Sequence, residues 1–213
     1  MARTVLQGRV ALVLGIDTAL GRAAAQQLSR AGCRVVLAGR DDMRLDSIAD
    51  QIAKKGGEPA IQSLSEVPSD WYDSILDARD TVGHLHFVLN AMAFDHEEGE
   101  AIEDSCKRAQ QADGYAAELL FEHGPTKVLT LWPEEIAVPP PIRPDAWHGY
   151  LVLGPRQRMD TPAPAELDKS GVYHLRASGV ADSAVFLFQL PPSARPGRVY
   201  LTGIQTPDRK GEA

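Results

Sequence analysis

Seven residues near the start of the chain, Gly15-Ile16-Asp17-Thr18-Ala19-Leu20-Gly21, stand between an apolar run, Gly8 to Leu14, and an alanine-rich, helix-favouring stretch, Arg22 to Arg30. A strand, a glycine turn and a helix in that order can aim backbone N–H groups and the positive end of a helix dipole at a pyrophosphate, with glycine wherever a Cβ would block the approach. The same glycines have a second use, because a helix packed tightly on a strand also needs missing side chains. Gly32 closes the helix, Arg34 to Ala38 reads as a second parallel strand, and Gly39-Arg40 follows it. At such a strand end an acidic residue bonds a ribose 2′-hydroxyl, whereas an arginine accommodates a 2′-phosphate. Arg40 therefore favours NADP over NAD as the dinucleotide, if one binds.

Other residues of chemical interest weigh less. His84, His86 and His96 lie near Asp95, Glu97 and Glu98, but no His-Glu-xx-His spacing occurs and nothing fixes a third ligand. A solvated strand end is the simpler reading, and no metal is expected. Cys106 could act as a nucleophile with His123, yet a helical cysteine without an activating motif is usually packing. The acidic stretch Asp95 to Asp104 reads as solvated, or as a docking surface for a basic partner.

The elements that must position these residues alternate strand and helix. Asp41 or Asp42 can cap a helix whose apolar face is Leu45, Ile48 and Ile52, ended by Gly56-Gly57. Pro59 to Leu64 gives a third strand, Trp71, Ile75 and Ala78 a third helix, and Leu85 to Ala91 a fourth strand. A helix of about five turns through Cys106, Tyr115 and Phe121 leads to a fifth strand, Lys127 to Trp132. A sixth strand begins at Tyr150, a last helix carries Val180, Ala184, Val185, Leu187 and Phe188 behind a Ser178 cap, and Arg198 to Leu201 is a final strand. Between the fifth and sixth strands stand Pro133, Pro139, Pro140, Pro141 and Pro144. Each interior proline removes a donor and costs a helix roughly 3 kcal/mol, so no helix is expected there.

Composition bounds the class. A length of 213 residues with 44% hydrophobic content suits a single α/β domain spanning 1–213, and no apolar run is long enough for a membrane span. Two cysteines, Cys33 and Cys106, offer no disulfide framework, and Met1-Ala2-Arg3-Thr4 runs directly into the first strand, so a cytoplasmic protein is expected. The net charge of -7 argues against nucleic acid or an anionic membrane as a principal partner.

Gly15-xxx-Ala19-x-Gly21, the strand Arg34 to Ala38 and Leu89-Asn90-Ala91-Met92 together resemble the short-chain dehydrogenases/reductases. The family's turn is Thr-Gly-xxx-Gly-x-Gly, so Leu14 replaces the threonine and Ala19 the middle glycine. Its Asn-Asn-Ala-Gly motif keeps only Asn90 and Ala91. The resemblance implies a Rossmann-like, doubly wound parallel sheet and dinucleotide contacts at Gly15, Asp17, Thr18, Gly21, Arg40, Asn90 and Ala91. Against this, Ser63 stands where the family often has an adenine-side aspartate, and Met92 would crowd the nicotinamide side.

The resemblance also implies a Tyr-xxx-Lys pair on the helix after the fifth strand and a serine near that strand's end. Neither is found. Tyr72, Tyr115, Tyr150, Tyr173 and Tyr200 are followed four residues on by Leu76, Leu119, Gly154, Ala177 and Ile204, and the serine position falls near Trp132-Pro133-Glu134. Gly154-Pro155 resembles the family's turn after strand six with its order reversed, so the catalytic helix is expected to be deleted, with 132–149 as a proline-rich replacement loop. The charged, proline-rich Arg156 to Lys169 falls where the family carries a substrate lid.

No catalytic residue is assigned, since a phenol next to an ammonium is what lets such a site exchange a proton near neutral pH. The expected role is a non-catalytic subunit that pairs with an active short-chain dehydrogenase, or with its own copy, through Ser178 to Gly203. The alternatives are an NADP-dependent oxidoreductase that recruited Asp145, His148 or Tyr150, and a nucleotide-sensing regulator.

Overall fold

Strand residues that are apolar on both faces call for helices on both sides of a parallel sheet, and the chain folds that way. The computed structural model describes residues 5–96, 99–121, 126–139, 147–153, 177–191, 193–194 and 197–201. The strands are Val10–Leu14 (β1), Arg34–Gly39 (β2), Pro59–Ser63 (β3), Phe87–Asn90 (β4), Lys127–Pro133 (β5), Trp147–Leu153 (β6) and Arg198–Leu201 (β7). They form one sheet in the order β3-β2-β1-β4-β5-β6-β7, every pair parallel.

The helices are Ala19–Arg30 (α1), Asp42–Ala53 (α2), Trp71–Val82 (α3), Ile102–Phe121 (α4) and Ala177–Gln189 (α5), with single 3-10 turns at Pro68–Asp70 and Met92–Phe94. Side-chain alternation sorts the core into two layers. Ala11, Val13, Val35, Leu37, Leu89, Leu129 and Leu151 pack with α1, α2 and α5. Leu12, Leu14, Val36, Val88, Val128, Trp132 and Val152 pack with α3 and α4. The apolar faces expected for the second and third helices are the buried ones, and Asp41 caps α2 by accepting the Arg44 N–H.

Two boundaries move. β5 runs through Pro133 and β6 starts at Trp147, so the connection is 134–146 rather than 132–149. Proline is tolerated as the last residue of β5 because the ladder resumes on the next residue, where the Glu134 N–H donates to the Leu153 carbonyl at 2.9 Å. Residues 134–139 contain a turn and no helix, and 140–146 lie outside the described residues.

The last helix also differs from expectation. Val180, Ala184, Leu187 and Phe188 were expected as an apolar excess for a partner, but they lie in the chain's own core against α1 and the sheet. The Phe188 ring stacks on Phe87 with centroids 4.6 Å apart, because β4 and β5 would otherwise expose that face. Val185 is partly buried, and the exposed aromatic of α5 is Phe186.

Candidate nucleotide crevice and a buried polar cluster

The glycine turn joins β1 to α1 with its internal hydrogen bonds closed. Thr18 caps α1: its Oγ1 donates to the Gly15 carbonyl at 2.8 Å and accepts the Gly21 N–H at 2.9 Å. Gly15 has φ +76°, and a Cβ there would lie 2.9 Å from the Ala91 carbonyl carbon and the Met92 nitrogen. A Cβ on Gly21 would strike the Gly15 carbonyl oxygen. Both glycines are therefore required by the contact of turn, helix and β4 end, whatever else the turn holds.

Asp17 and Arg40 meet across this turn. Asp17 Oδ2 accepts the Arg40 backbone N–H at 2.8 Å, while the Arg22 and Arg44 guanidinium groups donate to the Asp17 carbonyl at 2.7 and 2.9 Å. The other carboxylate oxygen, Asp17 Oδ1, is buried without a hydrogen-bond partner. The guanidinium of Arg40 is engaged within the chain, with Nη1 3.1 Å from Glu66 and Nη2 3.0 Å from Asp95. Asp95 is held from the other side, where Arg108 donates to its carbonyl at 2.6 Å and pairs with Glu100. Burial raises the Asp95 pKa above the usual carboxylate value, Arg40 opposes that shift, and Asp17 adds to it. Part of the acidic stretch is thus tied to the crevice: Asp95 and Glu100 hold arginines there, and Glu97 and Glu98 lie outside the described residues.

Asn90 and Ala91 turn inward. The Asn90 amide nitrogen donates to the Ala109 carbonyl at 2.9 Å and to Asp113 Oδ1 at 2.8 Å, and its Oδ1 accepts the Met92 N–H at 3.0 Å. Ala91 is fully buried, with its N–H on the Leu14 carbonyl. Met92 is buried as well, and Ser63 donates to Asp42.

Asn90 opens onto a polar cluster that sequence reading missed in part. The register places Asn90, Thr130 and Tyr150 side by side on three adjacent strands, facing α4. Asp113 of α4 is fully buried among them, accepting from Thr130 Oγ1 at 2.7 Å as well as from Asn90. Because the Thr130 hydrogen is given to Asp113, His148 Nε2 is the donor to Thr130 Oγ1 at 3.2 Å, and it lies 3.5 Å from Asp113 Oδ2. Tyr150 stands 4.7 Å from His148, ring to ring, with its hydroxyl buried and unpartnered. Burial first, and the Asp113 charge second, push the Tyr150 pKa above the ordinary phenol value. His148 and Tyr150 were flagged from sequence; Asp113 and Thr130 were not, and a lone aspartate on the apolar side of an amphipathic helix was the signal available. Asp145, the third residue flagged, lies outside the described residues.

The end of β5, after Thr130, carries no hydroxyl side chain. Trp132 is fully buried, its indole donates to the Ile136 carbonyl at 3.0 Å, and its ring meets Tyr150 edge-on at 5.7 Å. Ile136 and Val138 pack against this layer, and Arg198 reaches the Val138 carbonyl at 3.1 Å. The segment after β5 thus helps cover the face of β6 on the α4 side.

The remaining candidates have structural occupations. His86 Nδ1 accepts the Val10 N–H, and burial, with His84 and Arg9 nearby, lowers its pKa. Among the described residues no group of three or more potential ligands could hold a metal ion. Cys106 is buried in α4, His123 lies outside the described residues, and burial pushes the Cys33 thiol up to about 12. No helix among the described residues is long and apolar enough to cross a membrane.

Comparison with known proteins places this architecture. Residues 15–117, just under half of the chain, match the family model described as enoyl-(acyl carrier protein) reductase. A putative daunorubicin C-13 ketoreductase of Streptomyces sp. (strain C5) is 44% identical over 52 residues, covering 24% of this chain and 18% of that protein. An uncharacterized oxidoreductase of Staphylococcus aureus (strain USA300) is 34% identical over 94 residues, covering 41% of this chain and 38% of that protein. The matched stretches therefore span well under half the length of these relatives. Among solved structures, a gluconate 5-dehydrogenase from Burkholderia cenocepacia J2315 in complex with NADP and tartrate superimposes with a TM-score of 0.70 at 15% identity, covering 94% of this chain and 96% of that one. An alcohol dehydrogenase from Thermococcus sibiricus complexed with 5-hydroxy-NADP gives 0.69 at 17% identity, covering 94% and 99%. Such identities speak for the fold. The chain is thus similar in sequence to this family over residues 15–117, and its fold is that of solved short-chain dehydrogenases/reductases.

Proposed function

We propose that this chain is a non-catalytic subunit of short-chain dehydrogenase type, which acts by associating with a competent chain of the same family. The observation that carries the reading is the end of β5. Trp132 and Pro133 end β5 without a side-chain hydroxyl, and the described part of the connection to β6 contains no helix that could carry a tyrosine and its lysine. Tyr150 is no substitute, because its hydroxyl is shut inside the sheet's helical layer and its pKa is shifted away from neutrality.

A second reading has one observation in its favour. The Asp113–Thr130–His148 chain of hydrogen bonds resembles a relay in which an acid orients an imidazole, as an enzyme with unusual residues would need. The same bonds serve equally as the mutual satisfaction of polar groups that the loss of a helix left buried. The purified chain is expected to show no turnover of alcohols or ketones with NAD(H) or NADP(H). Turnover that Tyr150→Phe or His148→Ala abolishes in a folded protein would establish the oxidoreductase instead.

The association is assigned to the segment from Ser178 to the chain's edge strand, Gly203 itself lying outside the described residues. Among the described residues Phe186 on α5 and Tyr200 on β7 are its exposed large apolar side chains, and β7 is the last strand of the sheet. Phe186→Asp with Tyr200→Asp is expected to abolish co-elution with a partner dehydrogenase, or self-association. Unchanged co-elution of the folded double variant would place the contact elsewhere.

A further inference from the structure

We infer that the chain closes its own nucleotide crevice, with Phe94 and an Arg40–Asp95 ion pair seated across the strand ends where this fold would otherwise hold a dinucleotide. In a doubly wound parallel sheet a ligand lies beyond the C-terminal ends of the strands, at the point where the strand order reverses. Here that point is the gap between β1 and β4. Arg40 follows β2 and Asp95 follows β4, the two strands that flank β1, so the 3.0 Å pair between them passes over the end of β1. Both ends of this bridge are braced. Arg40 also pairs with Glu66 after β3 at 3.1 Å, and the Asp95 carbonyl accepts from Arg108 of α4 at 2.6 Å. Arg22 and Arg44 are turned onto the Asp17 carbonyl, and Arg108 onto Glu100, so the four arginines of this rim all face acceptors of the chain itself. An incoming phosphate would have to break those contacts to use them.

Next to Asp95, the side chain of Phe94 packs against both core layers. β4 is an interior strand, so a residue that follows it can touch both layers only past its C-terminal end. Apolar cover at that place accounts for Ala91, Met92 and Ala93 being only 0–1% exposed at the rim of the sheet. On the β2 side, Ile16 and Asp17 lean over the strand end: a Cβ on Gly39 would lie 2.5 Å from Ile16 Cγ2 and 2.8 Å from Asp17 Oδ2, and Asp17 Oδ1 is buried. The residues present therefore do not fit a bound dinucleotide. Gly15 and Gly21 are no argument for one, since packing already requires both. The inference deepens the non-catalytic reading above and rests on it in one respect: in the proposed assembly the dinucleotide belongs to the competent chain.

The test is calorimetric titration of the full chain with NADH and with NADPH, reading binding and not turnover, so that it fails separately from the non-catalytic reading. No saturable binding of either is expected at millimolar concentration. Phe94→Ala combined with Asp95→Ala removes the apolar cover and one end of the bridge, and is expected to bring at least one of the two dinucleotides into submillimolar binding. Phe94→Val combined with Asp95→Asn provides the same comparison if the first variant does not fold. Saturable binding by the wild type would overturn the inference whatever the variants do, and so would the absence of binding by the folded variant.

Discussion

The two halves of the sheet treat their strands differently. Within β1 to β3, each strand delivers the chain into a helix that returns across one face of the sheet, Thr18 caps the first of them, and Asp41 caps the second as sequence reading offered. In the other half, β5 passes to β6 through residues 134–146, and every residue of β6 is nonetheless buried. Trp132, Ile136 and Val138 contribute to that burial in place of a regular element. The difference separates two requirements: covering the sheet, and holding a proton-exchanging pair such as a phenol beside an ammonium. Covering needs only apolar area at the right place. Positioning a proton donor needs a rigid platform, and an irregular connection does not provide one.

If the second half is integral to the fold, its core should cost as much to damage as the first. Phe188→Ala removes a ring stacked on Phe87 and tilted against Trp147, and should destabilise by about 4 kcal/mol in one cooperative urea transition. A variant that unfolds in two separate steps would show β6, β7 and α5 to be a weakly attached appendage. In the first half, Gly21→Ala drives a methyl group onto the Gly15 carbonyl and should cost about 3 kcal/mol by the same measurement. A cost below about 1 kcal/mol would mean that the turn can relax, and that its glycines answer to a ligand more than to packing.

The seam between the halves is the next place to look. Asp113→Ala leaves Asn90, Thr130 and His148 without their common acceptor, and should destabilise by about 2 kcal/mol. Asp113→Asn should recover part of the loss, since one acceptor oxygen remains. If both substitutions are neutral, the cluster is not a stabilising seam, and a retained chemical role becomes the better account of it.

What was legible in the sequence follows the same division. Continuous apolar runs, caps and glycine stops mark β1 to β4 and their helices because each is a local preference. The prolines after β5 also act locally, and residues 134–139, the described part of that connection, contain no helix. The start of β6 was not: Trp147, His148 and Gly149 join the strand through pairing with Lys127, Val128 and Leu129, and no local signal replaces that partner. Phe188 and Phe186 are two residues apart on one helix, and only the packing of α5 on α1 and the sheet decides which is inside. Asp17 and Arg40 were both named as crevice residues, but a contact between positions 23 apart has no signature in one sequence.

The smallest effect tests the second half of the sheet from the side of α4. Gly114 lies beside Asp113 in this helix, and a Cβ built there meets nothing within 4 Å. Glycine inside a helix is less favourable than alanine by about 1 kcal/mol, through backbone freedom lost on folding, and nothing in the chain's own packing requires the missing side chain here. Gly114→Ala should therefore stabilise the isolated chain by about 0.5–1 kcal/mol, read as a shift of the urea midpoint at constant slope. The sign carries the information. A gain in the chain alone together with weaker co-elution with a partner would place this bare patch of α4 in an intermolecular contact. A loss of stability in the chain alone would mean that another part of the same molecule packs on Gly114, and that this face of α4 is closed from within.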